Sequence, residues 1–169
     1  MAKRPLRKTN RTVLIVVEGE TEEAFIAHLK KRYYRREMRL SVRIRNAHGY
    51  GPQGIIDKLK SVAKTEDFSQ RIAVLDADIP LTVAETRWLG EEKVDTIVSV
   101  PAIEATLLAI LGKPAPDSTE ACKKELQKHA PGDPTEVSYH EKHFPYDKLE
   151  QARGKLAVLD ALIAAVSTE

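Results

Sequence analysis

Three acidic side chains stand directly after apolar runs of strand length. Glu18 follows Val13-Leu14-Ile15-Val16-Val17, and Asp76 and Asp78 close the run Ala73-Val74-Leu75-Asp76-Ala77-Asp78. A carboxylate inside a buried strand would be desolvated without a partner, whereas at the strand's carboxyl end it stays wet. In open α/β sheets that end borders the crevice where ligands bind. Placed side by side, the two ends would gather Glu18, Asp76 and Asp78 into one acidic cluster. Such oxygen donors suit hard divalent cations, Mg²⁺ (or Mn²⁺) above all. Carboxylates two residues apart on an extended backbone lie roughly 6.5–7 Å apart, so both can serve one ion or one each of a pair about 4 Å apart.

Two further acids extend the set. Glu22 lies one helical turn beyond Glu18, and Glu104 is the only acid in the apolar stretch from Ile97 to Leu111. A carboxylate in a helix's first turn gains about 0.3–1 kcal/mol from the helix macrodipole. Each acid taken singly also has a plain structural reading as a cap or turn residue. Three strand ends all presenting acids is the less ordinary pattern.

These residues need strands and helices in alternation. Residues 12–17 form a continuous β-branched run, the pattern of a strand covered on both faces of a parallel sheet. Gly19 makes a tight exit and Thr21 is placed to cap a helix over 22–36, with Ala24, Phe25, Leu29 and Tyr33 at helical spacing. Residues 40–47 alternate, apolar at Leu40, Val42 and Ile44, which predicts a strand with one wet face near the sheet edge. A turn at 48–52 leads to a helix over 53–64, a strand over 71–76, a helix over 83–92, a strand over 94–100 and an apolar helix over 102–111 closed by Gly112 and Pro114. The expected fold is therefore α/β, a mostly parallel four-stranded sheet over 11–112 with helices on both faces. Two more helices, 118–129 and 146–167, are expected to form a C-terminal extension over 113–169 packed on the same domain, and residues 1–10 read as a disordered basic leader.

The 169 residues suffice for one domain with a sizeable core. The 42% hydrophobic and 31% charged content is that of a soluble globular chain, expected in the cytoplasm. No apolar run approaches the roughly 18 residues of a membrane span. The single cysteine, Cys122, excludes an intrachain disulfide and cannot build a zinc site alone. No GxxxxGK[ST] phosphate loop occurs, and no serine or cysteine nucleophile arrangement is evident.

The strand–Glu-Gly followed by strand–Asp-x-Asp resembles the Toprim fold of topoisomerases, primases, recombination proteins and the OLD nucleases. Glu18-Gly19-Glu20-Thr21-Glu22 looks more like the OLD and RloB branch, whose Pro-x-x-Glu segment before an apolar helix is matched by Pro101 to Glu104. The Asn and aromatic residue usual in that third motif are absent, since Val100 precedes Pro101 and Ile103 precedes Glu104. The resemblance covers roughly residues 11–112. It implies that Glu18 is a general acid or base, that Asp76 and Asp78 hold Mg²⁺, and that Glu22 and Glu104 complete a second metal position. It also implies a nuclease of a bacterial defence locus, with a separate ATPase as partner.

Net charge is only +2, but Lys30, Lys31, Arg32, Arg35, Arg36 and Arg39, continued by Arg43 and Arg45, form a basic stretch with Tyr33 and Tyr34 interleaved. Cations neutralise phosphates and tyrosines stack on unpaired bases, so this stretch is the expected contact for DNA or RNA. His140 and His143, expected in an extended segment, would project to opposite faces and not ligate together. Two other classes of function stay open: an interaction module whose acidic crevice holds a structural metal, and a phosphatase or phosphotransferase using Asp76 as nucleophile. The second would need a Thr or Ser and a Lys nearby, and Ser99 is a poor fit.

Overall fold

The computed structural model describes residues 10–167. Four strands, β1 (Arg11–Val17), β2 (Leu40–Asn46), β3 (Gln70–Asp76) and β4 (Val94–Ser99), form one sheet in the order β2-β1-β3-β4. Every pairing is parallel, with Val17 opposite Asn46 and Asp76 opposite Ser99 at the carboxyl ends. The chain leaves β1 toward β2 on one side, then returns to place β3 on the other. That reversal makes the carboxyl ends of β1 and β3 the topological switch point, where open α/β sheets bind ligands.

Right-handed crossovers decide which face each helix covers. Helix α1 (Glu20–Tyr33) lies on one face, against Val13, Ile15, Val17, Ile72 and Val74. Helices α2 (Gly51–Ala63) and α3 (Val83–Glu91) cover the other, against Leu14, Val16, Ala73 and Leu75. Alternate residues of β1 thus serve two cores, and Val13 through Val17 are all inaccessible to solvent, as a β-branched strand in a parallel sheet requires. The alternating strand β2 is the edge strand that its pattern predicts.

After β4 the chain returns to the first face with α4 (Ile103–Ile110), α5 (Thr119–His129), α6 (Val137–His143), α7 (Tyr146–Ala152) and α8 (Ala157–Val166). Cys122, Leu126, Phe144, Leu149, Leu159 and Ile163 join the core of α1, so residues 113–167 are an integral layer of this domain. Cys122 is buried and free. The leader expected over 1–10 lies, apart from Asn10, outside the described residues. Among the described residues no helix is long and apolar enough to cross a membrane.

Three local expectations are corrected. Helix α1 starts at Glu20 with Gly19 at its N-cap, so Thr21 lies inside the first turn, and the helix stops at Tyr33, not residue 36. The expected helix 146–167 is broken by Gly154, whose positive φ of 78° ends one helix while its N–H is held by the Asp160 carboxylate of the next. The segment holding His140 and His143 is helical, not extended, because Tyr139, His140 and Phe144 pack as a group onto Phe25 of α1. Neither histidine is arranged as a ligand: His140 Nε2 donates to the Pro134 carbonyl at 2.7 Å and His143 Nε2 to that of Pro131 at 3.0 Å.

His28 of α1 is a hydrogen-bonded filler, fully buried, with Nε2 donating to the Phe144 carbonyl at 2.7 Å. Burial lowers the pKa of His28 and brings that of His140 down to about 4, so both stay neutral in the folded protein. An unfolded histidine takes up its proton near pH 6.5. Both residues therefore withdraw stability as pH falls below about 6.5, His140 down to about 4. Raised carboxylates act in the opposite sense, so the comparison must be between variants. In acid-titrated thermal melts, His140→Gln is expected to show a smaller loss across this window than wild type; parallel curves would remove His140 as a source.

Candidate metal centre

The cleft at the switch point holds about 360 Å³ and is lined by Glu18, Glu20, Glu22, Asp76, Asp78 and Glu104, with His48, Thr119 and Lys123. All five acids expected from the sequence meet here, each brought by a different local device. Glu18 immediately follows β1, and its carboxylate accepts from the Gly51 N–H. Glu22 sits in the first turn of α1 and folds back over Gly19, where a Cβ would come within 3.3 Å of its Oε2. Asp76 ends β3, and its Oδ1 accepts from the Ile103 N–H at 3.0 Å, capping α4 from outside. That cap turns the first turn of α4 inward and buries Glu104 beside it. Asp78 lies in the turn that follows β3, tied by its N–H to the Pro101 carbonyl at 3.1 Å, and is exposed.

Burial, and then the charge of neighbouring carboxylates, raises the proton affinity of Glu18, Glu22, Asp76 and Glu104. Asp76 is pushed up to about 8, first by burial and then by the charges of Glu22, Glu104, Asp78 and Glu18. Burial is likewise the main cause of the upward shifts of Glu18, Glu22 and Glu104. Glu22 supplies the largest of the neighbouring charges on Asp76.

The sequence reading missed Glu20 at the start of α1 and two contributors from α5. Thr119 Oγ1 donates to Asp78 Oδ2 at 2.8 Å, and Lys123 Nζ stands 4.0 Å from Glu104 Oε1. Among the described residues lining the cleft, Lys123 is the only lysine or arginine, and its charge lowers the pKa of both Glu18 and Glu104. The only sequence signal was a helical spacing of four between Thr119 and Lys123, which sets both on one face.

A loop with left-handed backbone at His48, Gly49, Tyr50 and Gly51 forms the near wall. Gly49 N–H donates to the Glu18 carbonyl at 2.9 Å, and His48 Nδ1 faces Glu20 at 3.4 Å. Gly54 makes the loop possible, since a Cβ there would stand 2.2 Å from the Gly49 carbonyl oxygen.

The expected basic contacts are not beside the acids. α1 runs away from the cleft, and its 14 residues carry the chain about 20 Å toward the opposite end of the sheet. Lys30, Lys31 and Arg32 lie in its last turn, and Arg35, Arg36 and Arg39 follow beyond it, with the Arg39 carbonyl bonded to Arg11 N–H at the start of β1.

The donor chemistry fits a hard divalent cation: carboxylate oxygens, no thiol, two threonine hydroxyls and a mutual repulsion that a cation would relieve. Among the described residues, though, no three His, Cys, Asp or Glu side chains are grouped closely enough to chelate one ion as they stand. Repelling carboxylates separate, so a cation would have to draw them in. Compared with protein-family models, curated proteins and solved structures, the chain matches none.

Proposed function

We propose that the protein carries out Mg²⁺-dependent phosphodiester chemistry on nucleic acid, as an endonuclease of the Toprim type on the RloB and OLD side. The observation that carries this reading is the convergence of Glu18, Glu22, Asp76, Asp78 and Glu104 in one cleft at the sheet's switch point. Asp76, Asp78, Glu22 and Glu104 would hold Mg²⁺ (or Mn²⁺), which when bound neutralises charge on the phosphate and favours hydroxide near neutral pH. Glu18 is the half-buried acid with a raised pKa, suited to carry a proton to or from the attacking or leaving oxygen. Lys123 balances the acids and offers a charge to the phosphate. A defence role and an ATPase partner follow from the family resemblance.

The test is a cleavage assay on plasmid, single-stranded DNA and RNA with Mg²⁺ or Mn²⁺. Wild type is expected to cut at least one polymer, and Glu18→Gln and Asp76→Ala to lose that activity by about 100-fold or more, beyond the 10–100-fold typical of second-layer partners. Activity that survives both substitutions overturns the assignment.

Thr119 and Lys123 favour a second reading, because they supply the hydroxyl and ammonium that phosphotransfer through Asp76 would need. Ser99 does not serve it, being fully buried and bonded to Thr106. The engagement of Asp76 Oδ1 with the α4 amide weighs against that carboxylate acting as nucleophile. Hydrolysis of a small phosphomonoester in the same assay, without cleavage of polymers, would select it.

A further inference from the structure

A groove of about 560 Å³ runs along the free edge of β2, floored by Val42 and Ile44 and walled by Lys30, Lys31 and Tyr34 of α1 and its end, with Arg43 and Arg45 on the strand. An unpaired strand edge invites another strand to add. Here the outward carbonyls are already taken: Lys30 Nζ donates to Val42 O at 2.8 Å and Arg45 Nη1 to Ile44 O at 3.1 Å. Two acceptors that an added peptide strand would use are thus occupied, and the edge is lined with cations. Its two acid neighbours, Glu66 on Arg43 and Glu141 on Lys31, make partly exposed ion pairs. Pairs of that kind are worth about 0–1 kcal/mol and yield to a polyanion.

The groove also points at the cleft. Arg45 and Asn46 are level with Val16 and Val17 in register, and His48, two residues further on, already lines the acidic cleft. Two residues beyond His48 in the same loop, Tyr50 is 88% exposed, on a left-handed residue that a glycine would occupy with less strain. Tyr34 gives a second ring at the groove, with Lys30 5.9 Å from its centroid. Aromatic faces spaced along a cationic track match a strand whose bases are free to stack.

We infer that the α1–β2 groove binds the phosphate backbone of single-stranded nucleic acid and leads it past Tyr50 into the acidic cleft. The seven residues of β2 span about 23 Å, or about six to seven nucleotides at about 3.4 Å each, within the ~4–16 of known single-strand sites. The inference rests on the reading of the substrate as nucleic acid and assigns the approach to Lys30, Lys31, Arg43 and Arg45, not to Arg35, Arg36 and Arg39.

The test is fluorescence anisotropy of a labelled twelve-nucleotide oligo-dT in EDTA over a range of KCl concentrations, so that binding is read apart from cleavage. The Lys31→Ala/Arg43→Ala/Arg45→Ala variant is expected to bind at least about tenfold more weakly, with a salt slope shallower by about 2. Lys31→Ala/Arg43→Ala, confined to exposed positions, gives a milder version should the triple variant misfold, as judged by its thermal melt. Tyr50→Ala is expected to weaken binding about tenfold with the salt slope unchanged. An unchanged slope in the groove variants, a slope that falls only in Arg35→Ala/Arg36→Ala, or equal competition by poly-glutamate overturns the proposal. A wild type that binds the oligonucleotide in EDTA but cuts nothing in Mg²⁺ supports the groove and counts only against the nuclease reading.

Discussion

Asp76→Asn is expected to make the metal-free protein more stable above neutral pH and, at the same time, to abolish its thermal response to Mg²⁺. The sign follows from the raised pKa. A carboxyl that titrates near 8 when folded and near 4 when unfolded holds a proton in the native state across that interval, so stability falls as pH rises through it. Asparagine removes the charge but keeps a carbonyl oxygen for the Ile103 N–H, so the α4 cap survives. Because several acids contribute to the shift, the gain at pH 8.5 is on the order of 1–2 kcal/mol, about 2–8 °C in melting temperature for a chain of this length. In wild type, millimolar Mg²⁺ is expected to supply the same relief by displacing the proton, and its effect should grow from pH 7 to pH 8.5. Melts with and without Mg²⁺ at the two pH values check both arms. A wild type indifferent to Mg²⁺ at either pH would leave the cleft without a cation role.

Phe144→Ala is expected to be the most damaging single truncation in the helical layer. Phe144 has no accessible surface, meets Phe25 edge-on at 6.0 Å, and follows His140 at the end of α6. Large aromatic truncations in cores cost about 3–5 kcal/mol, set against a total stability of about 5–15 kcal/mol. The melting temperature should drop by about 6–20 °C, whereas Val100→Ala, at a position 72% exposed, should change stability by less than about 0.5 kcal/mol. Urea denaturation of both variants gives the comparison, and a Phe144→Ala loss below about 1 kcal/mol would show that the layer collapses around the gap.

The parts of the architecture that were legible in the sequence are those whose signal is local and repeated. Val13 to Val17 announced a strand covered on both faces, and Leu40-x-Val42-x-Ile44 an edge strand, because burial on two faces or one leaves opposite patterns. The five acids could be placed at one end of the sheet because parallel topology puts every strand's carboxyl end on the same side. Helix α6 was not legible: seven residues hold too few turns for a period, and its conformation depends on packing against α1, more than a hundred residues earlier. The break at Gly154 shows as a lone glycine that helices often tolerate, and only the bond to Asp160 makes it decisive. Thr119 and Lys123 escaped because their partners, Asp78 and Glu104, are distant in sequence. The separation of the basic stretch from the acids was within reach, since a fourteen-residue helix is itself a ruler of about 20 Å.

The reach of α5 into the cleft has a consequence for the order in which the protein comes into being. All four strands and all five acids are complete by Glu104, but Thr119 and Lys123 are still to be translated. Without α5 the cleft would hold acids alone, a pocket of uncompensated negative charge repellent to phosphate. The balancing hydroxyl and ammonium arrive about one to four seconds later at ordinary bacterial and eukaryotic elongation rates of ~5–20 residues per second. The helical layer thus acts as a maturation step written into the chain: the charge that balances the cleft comes after every strand and every acid it serves.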